Sequence, residues 1–264
     1  MTKLKIERHG TVTVITLNDP ATMNALGVDM AAELLLAYKQ ATTGENAARA
    51  ILLTGEGRGF CSGANLQSGG GGRALDGDGK PDAGHALETV YNPLVTYIRE
   101  SATPLVTAIN GAAAGVGCSL ALLGDLIVAS ESAYFLQAFR RIGLVPDGGS
   151  TWLLPRMIGR ARAFEMALLG EKVQAKQALE WGLINRLTSE TDLMPTAMGL
   201  AQALADGPAS LGLSRQILWA SLESGWSEQL HRERLAQKAA GKTEDFAEGV
   251  GAFLQKRPAA FTGR

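Results

Sequence analysis

The 264-residue chain is short of the residues that build disulfide staples and metal sites, with 2 cysteines and 3 histidines. Cys61 and Cys118 lie far apart and outside any metal-ligand spacing, which excludes a disulfide scaffold and argues for a reducing compartment. Charge of one sign is scarce too. Lys and Arg total 25 against 26 Asp and Glu, a net charge of -1, and no window carries a basic stripe, so nucleic acid is not an expected partner. The amino terminus, MTKLKIERHG, has charge but no apolar stretch behind it; export is not expected, and the cytoplasm is the expected location. No GxxxxGK[ST] occurs and GVGCSL lacks the third glycine of the dinucleotide fingerprint, so neither phosphate loop is supported. One long uncharged run exists, Leu105 to Gly124, about the length of a membrane span. Thr107, Asn110, Ser119 and four glycines dilute it and Asp125 follows at once, so a buried strand followed by a buried helix is expected, and no membrane partner.

What is present suits a compact α/β protein. The chain is 46% hydrophobic, ample for a core, and its length fits one large domain or a domain with an appendage. Short β-branched runs at Val12 to Leu17, Ala50 to Thr54, Leu105 to Ile109 and Asp125 to Ala129 read as strands. Asp29 is expected to cap a helix through about Gln40, with Met30, Leu34, Leu35 and Tyr38 at helical spacing. Residues 67 to 86, glycine-rich and polar, read as a lid or a disordered loop. From about Ala161 helical patterns dominate through Leu254, broken at Gly207-Pro208. The expected organisation is a core over residues 1–200 and a helical section over 201–264.

Two glycine-rich turns carry the chemical interest. In NGAAAGVGCSLA (110 to 121) a strand is expected to run into a turn that opens a helix, leaving backbone NH groups without intrahelical acceptors. Gly115 and Gly117 would let a substrate carbonyl approach the Val116 NH between them, and GFCSGANL (59 to 66) offers a second small-residue turn. Asp147, in LVPDGG, is a lone carboxylate in good turn chemistry. Ser119 has no His or Lys motif beside it and reads as a core or back-bonding hydroxyl. His9, His85 and His231 read as surface or loop residues, and Asp125 as an acceptor for backbone donors.

The succession FCSGANL, PLVTAINGAAAGVGCSLAL, DLIVAS and FLQAFRRIGLVPDGGSTWLLPR, with MNAL near residue 23 and FLQKRPAAF at the end, resembles the crotonase (enoyl-CoA hydratase/isomerase) superfamily over nearly the whole chain. The resemblance implies a crotonase-like (ClpP/crotonase) α/β fold, a spiral of ββα units followed by helices that form trimers or dimers of trimers. It implies an acyl-CoA substrate and no cofactor or metal, coenzyme A being part of the substrate. The Ala64 and Val116 NH groups would hold the thioester carbonyl, where donors aimed at developing negative charge act. Ala25, Leu26, Cys61, Ser62, Gly63, Asn65 and Leu66 would line the coenzyme A groove, with Phe261 also on the substrate. Gly115, Ser119, Phe139 and Asn92 would border the acyl group, although Asn92 equally suits a cap for the turn before Pro93.

The hydratases of this family use two glutamates, which would fall at Ser119 and Phe139. Neither can exchange a proton near neutral pH, so hydration is disfavoured. Asp147 lies where the isomerases carry a carboxylate, and a single acid suits a proton shift, because the group that takes a proton from one carbon can return it to another. The details of FLQAFRRIGLVPDGG and ETVYNPLV resemble the branch that isomerises 1,2-epoxyphenylacetyl-CoA. Enoyl-CoA double-bond isomerisation, hydration, dehalogenation or hydrolysis with Asp147 as nucleophile, and non-catalytic RNA binding are the alternatives. The dehalogenases keep a histidine base near the place of His85.

Overall fold

The structure, a computed structural model, describes residues 2–65 and 74–264. Its strands are β1 (Leu4–His9), β2 (Val12–Leu17), β3 (Ala50–Gly55), β4 (Gly59–Cys61), β5 (Leu105–Ile109), β6 (Ala112–Ala114), β7 (Leu126–Ser130), β8 (Tyr134–Leu136), β9 (Val173–Gln174) and β10 (Arg186–Thr188). The helices are α1 (Val28–Thr42), α2 (Asn92–Glu100), α3 (Val116–Ala121), α4 (Ser150–Leu169), α5 (Ala175–Trp181), α6 (Leu193–Ala205), α7 (Ser210–Ser221), α8 (Trp226–Ala240) and α9 (Glu244–Gln255).

Successive strands split between two sheets. β3, β5 and β7 join the six-stranded sheet β1-β2-β3-β5-β7-β10, while β4, β6 and β8 join the four-stranded sheet β4-β6-β8-β9. Each pair is followed by helix, so the chain climbs as repeated ββα units, the spiral implied by the resemblance. β2, β3, β5 and β7 pair in parallel, and all but one of their residues are buried, as expected for strands covered on both faces. β1, a hairpin edge, exposes most of its side chains. The uncharged run from Leu105 becomes β5, β6 and α3, and among the described residues no helix is long and apolar enough to cross a membrane.

Two expectations need correction. Gly27 is the cap of α1, and Asp29 sits in its first turn, where its carboxylate pairs with Lys3 at 2.8 Å and complements the helix dipole. The helical carboxy-terminal half also contains β9 and β10, two or three residues each, too short to leave a period-2 signal. The break at Gly207-Pro208 does separate α6 from α7. α6 crosses residue 200, packing Leu193, Ala197, Ala201 and Ala205 with Val14, Leu52 and Val106 of the large sheet.

Candidate active site

Three turns meet at the top of α3. The first is strapped together by residues 22–26. Met23 and Asn24 both take left-handed backbone (φ 53° and 56°), and the buried Asn24 side chain accepts from Asp19 N at 2.8 Å and donates to Gly59 O at 2.7 Å. Those bonds hold the segment on the exit of β4. Leu26 N donates to Gly63 O at 2.7 Å, Ser62 N to Met23 O at 3.0 Å, and Ser62 Oγ to Thr22 O at 2.8 Å. Ala25 N donates to Thr22 Oγ1 at 3.2 Å. Leu26 also accepts from Asn65 N at 3.4 Å, so the parallel bridge between Leu26 and Ala64 leaves the Ala64 NH turned away from it. Tyr91, at the end of a π-helical turn entering α2, donates its hydroxyl to Leu26 O at 2.6 Å.

The second turn is Gly115, whose φ of +54° delivers the chain into α3. A Cβ on Gly117 would overlap the Cys61 carbonyl oxygen and lie 2.7 Å from its sulfur. Only a glycine lets α3 rest on β4 there, and Gly117→Ala is expected to destabilise the protein by about 1–3 kcal/mol while separating the two turns; melting temperature and turnover measured together check this. With Gly117 in place, a Cβ at Gly115 would lie 3.7 Å from the Gly63 Cα. The turns bearing Ala64 and Val116 are therefore in contact. Among the described residues neither the Ala64 NH nor the Val116 NH has a hydrogen-bond acceptor, and two such donors can bind an oxyanion.

The third turn brings the carboxylate. Gly148 (φ +58°) lies on α3, so closely that a Cβ there would be 2.8 Å from Ser119 Cβ and 3.4 Å from Val116 Cγ2. The turn is held through the Asp147 carbonyl, which accepts from Ser119 Oγ at 2.8 Å and Ser150 Oγ at 2.9 Å. The carboxyl itself is left unengaged: Asp147 Oδ1 is buried without a hydrogen-bond partner, and burial pushes its pKa up to about 6. A carboxyl of that kind can both accept and return a proton near neutral pH. Burial also pushes the Cys61 thiol to about 11, the Tyr91 phenol to about 12 and the Cys118 thiol to about 12, so these stay protonated at neutral pH.

Ser119 is thus a strut for the Asp147 turn, and Phe139 is a buried ring whose Cζ would lie 3.8 Å from a Cβ at Gly115. Neither is a proton carrier. Asn92 opens α2 and borders a cavity of about 250 Å³ with Gly148 and Gly149. Phe261 stands apart in a cavity formed by the carboxy-terminal helices, beside Gly249. Leu66 lies outside the described residues. His85 is exposed, and among the described residues no group of three His, Cys, Asp or Glu could hold a metal. Asn24 and Tyr91, which position the Leu26–Asn65 strap, escaped the sequence reading; each stands beside a residue that it did select, Ala25 and Asn92.

The profile of the enoyl-CoA hydratase/isomerase family matches residues 7–264. The chain is 44% identical to the 1,2-epoxyphenylacetyl-CoA isomerase of Escherichia coli K12, over 96% of this chain and 95% of that protein. It is 46% identical to a Rhodobacter capsulatus protein named "Probable enoyl-CoA hydratase", over 95% and 94%. The crystal structure of the enoyl-CoA hydratase of Bacillus anthracis superposes with a TM-score of 0.91 at 27% identity, covering 99% of this chain and all of that one.

Proposed function

The chain belongs to the enoyl-CoA hydratase/isomerase family, and on that premise we propose that it isomerises an acyl-CoA thioester by moving one proton between carbons, with Asp147 as both acid and base. The observation that carries the reading is the half-buried Asp147 carboxyl, whose buried Oδ1 has no hydrogen-bond partner, on a turn whose next residue, Gly148, packs on Val116 and Ser119, together with Ser119 and Phe139 at the two positions where a water-handling acid pair would stand.

For a 3-enoyl-CoA the steps balance within the substrate. The Asp147 carboxylate takes a proton from C2, the electron pair moves onto the thioester oxygen, and the Ala64 and Val116 NH groups stabilise the charge. One such donor contributes about 2.7–4 kcal/mol in other enzymes. The protonated Asp147 then returns the proton to C4 as the double bond moves to C2. For 1,2-epoxyphenylacetyl-CoA the Asp147 carboxylate takes the proton beside the thioester, the ring carbon–carbon bond spanned by the epoxide breaks with its oxygen kept in the ring, and the protonated Asp147 returns the proton to a ring carbon to give the oxepin. The E. coli relative bears the name of that activity, and we favour this substrate. Coenzyme A enters as part of the substrate, along the strap formed by Ala25, Leu26 and residues 61–65, and the chemistry calls for no separate cofactor.

Turnover of purified protein with ring-1,2-epoxyphenylacetyl-CoA, 3-enoyl-CoA and 2-enoyl-CoA tests the reading. Conversion of the epoxide supports it in full; conversion of 3-enoyl-CoA alone removes the aromatic substrate. The R. capsulatus relative is named for hydration, and rapid formation of 3-hydroxyacyl-CoA from 2-enoyl-CoA would establish that second reading.

The base must be ionised to act. With Asp147 pushed up to about 6, kcat/KM is expected to fall roughly tenfold per pH unit below that value and to level off above about pH 7. A profile flat from pH 5 to 8 would remove Asp147 as the base. The same reading places the enzyme in the cytoplasm as a homotrimer or dimer of trimers. The exposed apolar side chains of Trp226, Phe253 and Leu254 on α8 and α9 are surfaces that such contacts would cover; a monomer in sedimentation equilibrium would exclude it.

A further inference from the structure

We propose that the Arg99–Glu223 ion pair, seated against Trp219, is the end wall of the acyl pocket and limits the acyl group to about the size of one six-membered ring. The inference rests on the reading that Asp147 and Val116 mark the reacting centre.

The cavity of about 250 Å³ is bordered at one end by Gly148 and Gly149, directly after Asp147, where a Cβ on Gly148 would lie 3.4 Å from Val116 Cγ2. It runs along one face of α2, where Asn92, Val95, Thr96 and Arg99 fall at the i, i+3, i+4, i+7 spacing of a single helix face. Arg99 is therefore about 10 Å further along that helix than Asn92. The opposite wall includes Trp152 and Trp219, whose rings stack with centroids 6.2 Å apart and planes 19° from parallel. Trp219 is fixed from behind, its Nε1 donating to Asp125 Oδ1 at 3.1 Å.

The Arg99 guanidinium closes the far end. Its central carbon lies 4.8 Å from the Trp152 ring centroid and 5.6 Å from that of Trp219, and its Nη2 donates to Glu223 Oε1 at 2.6 Å. Beyond lies a second space of about 680 Å³, bordered by Glu228 and Arg232, and it shares with the first only Arg99, Trp219 and Glu223. These three side chains stand between the smaller, more apolar cleft and the larger, more polar one. A cavity of about 150 Å³ holds benzene, so the smaller cleft suits one ring or an aliphatic chain of similar bulk. A long chain continuing along this face of α2 would meet the ion pair.

The wall can be opened without dismantling the fold. The side chains of Arg99 and Glu223 are 32% and 53% exposed, and ion pairs of that exposure contribute little to stability. The test is calorimetric titration of the wild type, Arg99→Ala and Glu223→Ala with phenylacetyl-, hexanoyl- and dodecanoyl-CoA, saturated at the reacting carbons so that binding is read without turnover. The wild type is expected to bind phenylacetyl- and hexanoyl-CoA at least tenfold more tightly than dodecanoyl-CoA. Each variant is expected to shrink that ratio at least tenfold by tightening dodecanoyl-CoA. Equal affinities in the wild type, or a ratio unmoved in both variants, would overturn the end wall while leaving the proton-shift reading intact. Failure of every acyl-CoA to bind would overturn both.

Discussion

Asp147→Asn is expected to lower kcat by about 10²- to 10⁴-fold, the usual contribution of a positioned acid-base group, with KM little changed. The substitution is a clean probe because the turn is not held by the carboxyl. Ser119 Oγ, Ser150 Oγ and Ser150 N all donate to the Asp147 backbone carbonyl, and Asn keeps the side-chain shape. Stability should move the other way. Burial raises the Asp147 pKa from 3.8 to about 6, so the folded state favours the protonated carboxyl. Its stabilising contribution is complete below pH 3.8 and is lost as pH rises through 6. Asn has no such dependence, and the variant should gain stability relative to the wild type as pH rises from 4 to 7. A variant both inactive and less stable at pH 7 would mean that Asp147 is structural.

Asp125→Ala is expected to cost about 3–5 kcal/mol, as removal of one partner from a buried ion pair typically does. Asp125 accepts from Arg215 Nε at 2.6 Å, from Leu105 N at 2.7 Å and from Trp219 Nε1 at 3.1 Å. The Arg215 side chain is 4% exposed, so its charge would be left without its counterion. Arg215 also donates to the carbonyls of Ile98, Arg99 and Ser101 at the end of α2. One carboxylate thereby joins α7, α2 and the start of β5 and β7, and holds Trp219 on the acyl cavity. Urea unfolding at fixed protein concentration measures the loss; a change under 1 kcal/mol would show that α7 is held chiefly by its apolar contacts.

The parts of the fold legible in the sequence are those whose burial writes a pattern. β2, β3, β5 and β7 are long enough, and buried enough on both faces, to appear as β-branched runs. β4, β6 and β8 have three residues each, and Ala112–Ala114 carries no strand signal at all; it is extended because it pairs with β4 and β8 on either side. The Asp29 cap was misplaced because an acid in the first helical turn and an acid at the cap look alike in sequence, and Gly27 leaves no side-chain mark. At the site, glycines showed where the backbone comes close, but not what it approaches. That Gly117 rests on Cys61, and Gly148 on Ser119, follows from contacts between segments distant in sequence. The end wall was least legible, since Arg99 and Glu223 are 124 residues apart and read separately as ordinary charged residues.

The central claim is that one carboxylate shifts a proton and water is not added. The direct measurement is turnover of the epoxide and of 3-enoyl-CoA in D₂O, with products read by mass spectrometry and NMR for wild type and Asp147→Asn. The account predicts products with the composition of the substrate, apart from deuterium at the carbons between which the proton moves, and their loss in the Asn variant. A water adduct that forms equally well in the Asn variant would contradict it.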